Sequence, residues 1–249
     1  MSDASSTNKP YVRLLKTSEI ASVVTVNRKA FINDPLFNYF GSIKAPLSND
    51  IDSTERRNLE TFLKFLTKVS LRCGGRSTVV AAPNPDGSER ICAATVWMPP
   101  HKRVTLMKLW AIFRSGAGGI EKAWGPKGIM RMAVEFPDTS HAAQKEAFKA
   151  KGIRKHPDSS WYLLLACTDP DEQGKGYLSM LVREGFAHAP GAIFTLEAST
   201  VNSRDRYAHL GFELHKSIKL GAGKCDESGY VAKGPDADGV TAYAMIKWK

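Results

Sequence analysis

Apolar positions along the chain change period several times, and each change marks an element. "YVRLLK" (11–16) alternates with period two and predicts a short strand. Directly after it, "EIASVVTVNRKAF" (19–31) carries apolar residues at helical spacing, with Thr17 and Ser18 placed to cap the helix. Asp34-Pro35 within "NDPLFNYF" predicts a turn, and "STERRNLETFLKFLTKVSLRCGG" predicts a second helix that stops at Gly74-Gly75. "STVVAA" and "ERICAATVWMPP" then predict a hairpin around "PNPDGS".

From His101 to about Pro157 the pattern differs in kind. "TLMKLWAIFRSGAGGIEKAWGPKGIMRMAVEF" is rich in Met, Trp, Phe and Leu but broken by glycines, which predicts short helices. A more polar helix follows in "SHAAQKEAFKAKG", with Ser140 as its N-cap. Such an insert either lids a pocket or adds to the core. The apolar run in "SSWYLLLACT" predicts a buried strand, Asp169-Pro170-Asp171 a break, and "GKGYLSMLVREGFAHAPG" a helix with a glycine-rich entry. A strand in "AIFTLEAST", a short helix in "NSRDRYAHLGF" closing at Gly211, and strands in "ELHKSIKL" and "TAYAMIKWK" complete the chain.

Composition narrows this to one unit. The 249 residues, 43% hydrophobic, suffice for a single core, so one domain is expected across 1–249, with residues 1–10 as a disordered tail. A net charge of +10 and a pI of about 9.4 fit nucleic acid, an anionic membrane or a strongly anionic small ligand. The basic residues are dispersed and no zinc-finger or RNA-binding signature accompanies them, so no specific nucleic-acid partner is expected. The chain shows neither a secretory-type apolar leader nor a run of membrane-spanning length, and a soluble, cytoplasmic protein without a membrane partner is expected. Cys73, Cys92, Cys167 and Cys225 lie far apart without zinc-site or disulfide-scaffold spacing, which fits a reducing compartment and no metal.

The helix entry "DEQGKGYLSML" (171–181) carries the strongest chemical signal. Glycines at the start of a helix that follows a buried strand let an anion approach unpaired backbone N–H groups; an ordinary left-handed turn is the alternative. No Ser or Thr follows Lys175, as a Walker loop requires, and the three spaced glycines of a dinucleotide fold are missing.

"TDPDEQGKGYL" resembles the acyl-CoA pyrophosphate loop of the GNAT N-acetyltransferase superfamily, with Gln173 and Gly176 at matching positions and Leu178 where a small residue is usual. "LEASTVNSRDRYAHLGF" resembles a second segment of that family, matching at Asn202, Tyr207, Gly211 and Phe212. "DPLFNYF", "VWMPP", a helical insert and "WYLLL", in that order, resemble the puromycin-acetyltransferase-like subgroup. The resemblance implies a mixed α/β fold: a central, mostly antiparallel sheet splayed between its fourth and fifth strands, flanked by helices, with a helical insert at about 101–157.

It also implies acetyl-CoA as co-substrate and direct transfer of the acetyl group to an amine, that of a small molecule. Acetylation of a protein N-terminus or lysine, or a CoA-binding module without activity, are the alternatives. Gln173, Gly174, Lys175, Gly176, Tyr177 and Leu178 would hold the pyrophosphate, and the backbones of Ala166, Cys167 and Thr168 the pantetheine. Asn202 would contact the pantetheine or order its helix start. Tyr207 is the implied acid for the departing thiolate, with a packing tyrosine as the alternative, and the Cys167 N–H would serve the oxyanion. The Cys167 thiol is either a nucleophile or a small buried hydrophobe. Glu197 is the candidate base or a structural carboxylate, and His101, Glu135 and His141 are further options.

Overall fold

Among residues 9–249, which the computed structural model describes, seven strands form one sheet in the order β1-β2-β3-β4-β5-β7-β6. Residues 1–8 of the expected tail lie outside the described residues. The strands are β1 (Tyr11–Leu14), β2 (Arg76–Pro83), β3 (Glu89–Met98), β4 (Trp161–Thr168), β5 (Phe194–Ala198), β6 (Glu213–Leu220) and β7 (Val240–Lys247). Neighbours are antiparallel except β4 and β5, which run parallel. The predicted β2–β3 hairpin closes with Asn84 N–H donating to Ser88 O at 2.8 Å, and Gly87 supplies the left-handed residue of the turn.

Period-two patterning sends alternate residues of the sheet to opposite layers. Val79, Ala94 and Cys167 pack on Val23 and Val26 of α1 (Ile20–Phe31), whereas Val80, Ala82 and Ala93 pack on Tyr177 and Leu181 of α7 (Tyr177–His188). On the α1 side lie α2 (Pro35–Gly41) and α3 (Thr54–Arg72); the insert folds over them as α4 (Leu109–Arg114) and α5 (Ala117–Met130), and over β6 and β7 as α6 (Phe136–Ala150). Trp124 of α5 sits on Phe62 of α3 with ring centroids 4.2 Å apart, so the insert is part of the core. Burying side chains of this size contributes roughly 1.5–3 kcal/mol each. The last helix, α8 (Val201–His209), packs on β5 and β6, with Tyr207 against Phe212 and Leu196.

Four local expectations are corrected. Thr17 and Ser18 do not cap α1: they form an exposed 3-10 turn, and Glu19 instead accepts from the Lys16 N–H while pairing with Arg13 at 2.7 Å. Asp34-Pro35 does not close a loop; Asp34 is the N-cap of α2 and Pro35 its first residue, where the missing N–H costs nothing. Ser140 is not an N-cap, because α5, kinked at Gly125-Pro126, continues from there through a π-turn (Arg131–Glu135) into α6 and leaves Ser140 buried inside the helix. Asn202 does not cap α8 either: the Thr200 hydroxyl accepts from the Ser203 N–H, and Asn202 is exposed in the first turn.

Gly185 of α7 lies where a Cβ would fall 2.8 Å from ring atoms of Trp97, a fully buried side chain. Alanine gains about 1 kcal/mol of helix propensity over glycine, while overpacking a filled core costs about 1–3 kcal/mol. Gly185→Ala is therefore expected to lower the urea midpoint, and a rise would show that Trp97 can move aside.

Candidate active site

The site begins where β4 and β5 part. They pair only at Trp161↔Phe194 and Tyr162↔Thr195, so from Leu163 onward the β5-facing edge of β4 has no strand partner among the described residues. At the end of β4 the chain makes a 3-10 turn (Pro170–Glu172) and enters α7 through Gly174 and Gly176, at φ +80° and +79°. A Cβ at either glycine would meet nothing within 4 Å, so the loop's backbone stands open. The first α7 bond here runs from Met180 N–H to Gly176 O, leaving the N–H groups of Tyr177, Leu178 and Ser179 free of helix partners. Such a terminus carries partial positive charge and suits an anion.

A cavity of about 820 Å³ lies against the parted strands. Phe31, Phe37, Phe40, Phe62, Phe65 and Phe136 make much of its wall, while Leu163–Ala166 of β4, Ala198, Ser199 and Tyr207 line its other end. Four carboxyl groups line it, those of Asp34, Asp138, Asp158 and Glu197. Asp34 caps α2, accepting from the N–H groups of Leu36 (3.0 Å) and Phe37 (3.2 Å) and from the Ser199 hydroxyl (2.5 Å). Burial pushes its pKa up, against these three donors, which pull it down.

Glu197 of β5 is held from three sides: its Oε1 accepts from Ser140 Oγ (2.5 Å) and Gln144 Nε2 (2.7 Å), and its Oε2 from the Tyr162 hydroxyl (2.7 Å). The amide of Gln144 is oriented by Arg103, which donates to its Oε1 at 2.8 Å and stacks on the Tyr162 ring at 4.4 Å. Burial, and then the neighbouring Glu197 charge, push the Tyr162 pKa well above 10, so the phenol remains a donor.

The structure brings most of the expected residues to this region. Tyr207 is buried, lines the cavity and has no hydrogen-bond partner among the described residues; burial raises its pKa above 10. Gln173, Gly174, Lys175 and Gly176 are exposed on the loop. Lys175 already pairs with Glu172 at 2.7 Å, and Glu172 also pairs with Arg90 at 3.1 Å. The Tyr177 side chain points away into the core, and Leu178 packs against the Trp97 cluster, so these two reach the loop through their backbones alone. Ala166 lines the cavity, and Thr168 ends β4 half-buried.

The Cys167 thiol donates to Asn27 Oδ1 at 2.9 Å on the α1 side, away from the cavity, and burial pushes its pKa up to about 12. Among the other base candidates, His101 is exposed outside the cavity and Glu135 accepts from the Tyr39 hydroxyl at 3.0 Å. His141 lines the cavity beside His156 and Asp158, whose charge is balanced by Arg103 at 3.3 Å. Sequence reasoning missed Asp34, Ser199, Tyr162 and Arg103. Only Asp34 carried a local signal, Asp before Pro at a helix start.

A mostly antiparallel sheet whose one parallel pair splays open beside a glycine-led helix defines the fold of the GNAT N-acetyltransferases. Solved structures share it: an acetyltransferase from Corynebacterium glutamicum, described as histone acetyltransferase HPA2 and related, superposes with TM-score 0.57 at 20% identity, covering 96% of each chain. Arylalkylamine N-acetyltransferase 2 from Aedes aegypti gives TM-score 0.57 at 16% identity, over 97% of this chain and 99% of that one. In sequence, an uncharacterized N-acetyltransferase of Schizosaccharomyces pombe, C550.08, is 30% identical over 128 residues, 51% of this chain. That match spans about half the length of the yeast relative (49%), and no family model matches the chain.

The Asp34 environment has a consequence for stability. A folded-state pKa above the unfolded value of about 3.9 means the folded chain holds this proton more tightly, so its contribution is full at low pH and is lost as pH rises through the raised value. Asparagine also caps helices and cannot ionise. Urea midpoints measured from about pH 4 to pH 8 are expected to show Asp34→Asn gaining on the wild type as pH rises; a constant difference would mean that Asp34 is not perturbed.

Proposed function

We propose that this protein is an acetyl-CoA-dependent N-acetyltransferase acting on the amine of a small molecule. The observation that carries this reading is the parting of β4 from β5 over a cavity that adjoins the bare, glycine-led start of α7. The relatives support the chemistry, since all three bear acetyltransferase descriptions and the mosquito protein is an arylalkylamine N-acetyltransferase. A partly enclosed, phenylalanine-walled cavity suits a small acceptor better than a protein chain. On this reading the chain is one catalytic domain in which residues 101–157 shape the acceptor pocket. Four buried, unpaired cysteines fit the cytoplasm as its place of work.

Acetyl-CoA, when bound, supplies an acyl group activated as a thioester. The N–H groups of Gly174 to Leu178 would hold its pyrophosphate, with Gln173 and Lys175 alongside, and Lys175 would exchange Glu172 for phosphate. The free edge of β4 at Ala166, Cys167 and Thr168 would pair with the pantetheine amides, with Asn202 nearby in sequence terms on α8, and the Cys167 N–H would serve the developing oxyanion. An alkylamine, with pKa near that of lysine at about 10.4, arrives as an ammonium ion. Glu197 would attract that charge. Asp34, its pKa raised by burial, is better placed than Glu197 to accept the proton, through Ser199. Tyr207, protonated at neutral pH, would donate to the departing thiolate.

Two experiments test the reading. Isothermal titration should show saturable acetyl-CoA binding that Gly176→Val weakens about tenfold or more, because a β-branched residue resists the left-handed conformation; a folded wild type that does not bind would remove the co-substrate. In steady-state assays with a working amine, Tyr207→Phe should lower kcat about 100-fold or more at unchanged acetyl-CoA affinity. Asp34→Asn should likewise act on kcat, whereas Glu197→Gln should act chiefly on the KM of the amine. An unchanged kcat in Tyr207→Phe would end its role as the acid.

A further inference from the structure

Five of the twelve large hydrophobic side chains that the described residues expose fall within eight consecutive positions: Leu106, Met107, Leu109, Trp110 and Phe113. Met107 is 93% exposed, Phe113 71% and Trp110 63%. The short helix α4 is apolar on two sides. Ala111 is buried and Ile112 packs on the core beneath, while Leu109, Trp110 and Phe113 face outward with none of the described residues outside α4 over them. Exposed apolar groups scattered singly need no explanation, whereas a run of this density marks a surface that is covered in use.

Charge around the run identifies what covers it. From Arg90 to Ile120 the chain contains no Asp or Glu, while Lys102, Lys108 and Arg114 lie within the segment. Arg114 stacks its guanidinium on the Trp110 ring at 5.1 Å, and Lys108 Nζ donates to Lys102 O at 2.9 Å, drawing the cations to the rim of the apolar run. Arg72 of α3 reaches the same end of α4, donating to Ser115 Oγ at 3.1 Å. Trp, Phe, Leu and Met side chains bordered by uncompensated Lys and Arg match an anionic bilayer interface: the apolar groups enter the acyl boundary and the cations meet lipid phosphates. No helix among the described residues is long and apolar enough to cross a membrane, so contact of this kind is interfacial.

We propose that residues 102–114 dock this protein onto an anionic membrane surface, with Met107, Trp110 and Phe113 inserted and Lys102, Lys108 and Arg114 on the lipid headgroups. This departs from the expectation of a protein without a membrane partner. Leu106 and Ile112 of the same segment also line the cavity, so docking sets the cavity mouth beside the lipid. The proposal does not depend on acetyl transfer, and its test reads lipid binding alone.

Full-length protein is sedimented with large vesicles of phosphatidylcholine containing phosphatidylserine. Partitioning is expected at low salt, falling about tenfold or more on phosphatidylcholine alone, and falling again as salt screens the cations. Trp110→Ser/Phe113→Ser should lose about tenfold or more of the binding at unchanged melting temperature, since both side chains are exposed in the free protein. Lys102→Gln/Lys108→Gln/Arg114→Gln should remove the phosphatidylserine preference. Absence of partitioning at low salt, or partitioning undiminished in the Trp110/Phe113 variant, would overturn the proposal. So would light scattering that finds a wild-type dimer which the same variant converts to monomer, because a second copy would then be the cover.

Discussion

β4 and β5 hydrogen-bond for two residues and then separate, and the rest of the molecule is arranged around that separation. A buried strand edge without a partner is costly, since each orphaned N–H or C=O loses its bond to water and gains none. Both strands face this cost: β3 pairs with β4 and β7 with β5 only on their far sides, which leaves the two edges that face the gap unpaired. Of the two, β4 is the strand that leads directly into the glycine loop and α7. One segment of about 20 residues thus offers an extended edge and then a helix N-terminus, in the order that a long ligand ending in phosphate requires.

A second constraint fixes the other wall of the cavity. Glu197 lies in the sheet facing the insert, and an unpaired buried carboxylate would be strongly unfavourable. It is satisfied by Ser140 and Gln144 from α6 and by Tyr162 from β4, with Arg103 orienting both Gln144 and the Tyr162 ring. These bonds tie the insert to the strand pair at the point where pairing ends. The position of α6, and through it Phe136 and His141 at the cavity wall, follows from that polar cluster as well as from the apolar packing of Trp124 on Phe62.

The sheet and its long helices were legible in the sequence because period-two and period-3.6 patterning is local, and each predicted strand from "YVRLLK" to "TAYAMIKWK" is present. Local patterning also located the glycine loop and Tyr207. It could not find what depends on distant contacts. Ser140 reads as a cap because Ser favours that position, yet the helix already runs through Phe136 and Pro137 ahead of it and Glu197 accepts its hydroxyl. Asp34 and Ser199 lie 165 positions apart, and no pattern in either neighbourhood announces the hydrogen bond between them. Cys167 and Leu178 illustrate the converse: both are read correctly only when the face of the strand or helix they occupy is known, and both point into the core.

The charge of the chain also divides in a way that composition hides. Around the glycine loop, acids and bases cancel: Lys29 pairs with Asp169 and Asp171, and Lys175 and Arg90 share Glu172. An anion arriving there meets little net side-chain charge, and its attraction rests on the oriented N–H groups of the loop and of α7, which act at short range. Three cations without an ion pair among the described residues, Lys102, Lys108 and Arg114, lie elsewhere, in the acid-free stretch of the insert beside the exposed aromatic side chains of α4. The net charge of +10 therefore does not arise at the glycine loop, and an anion held there by backbone N–H groups does not account for it.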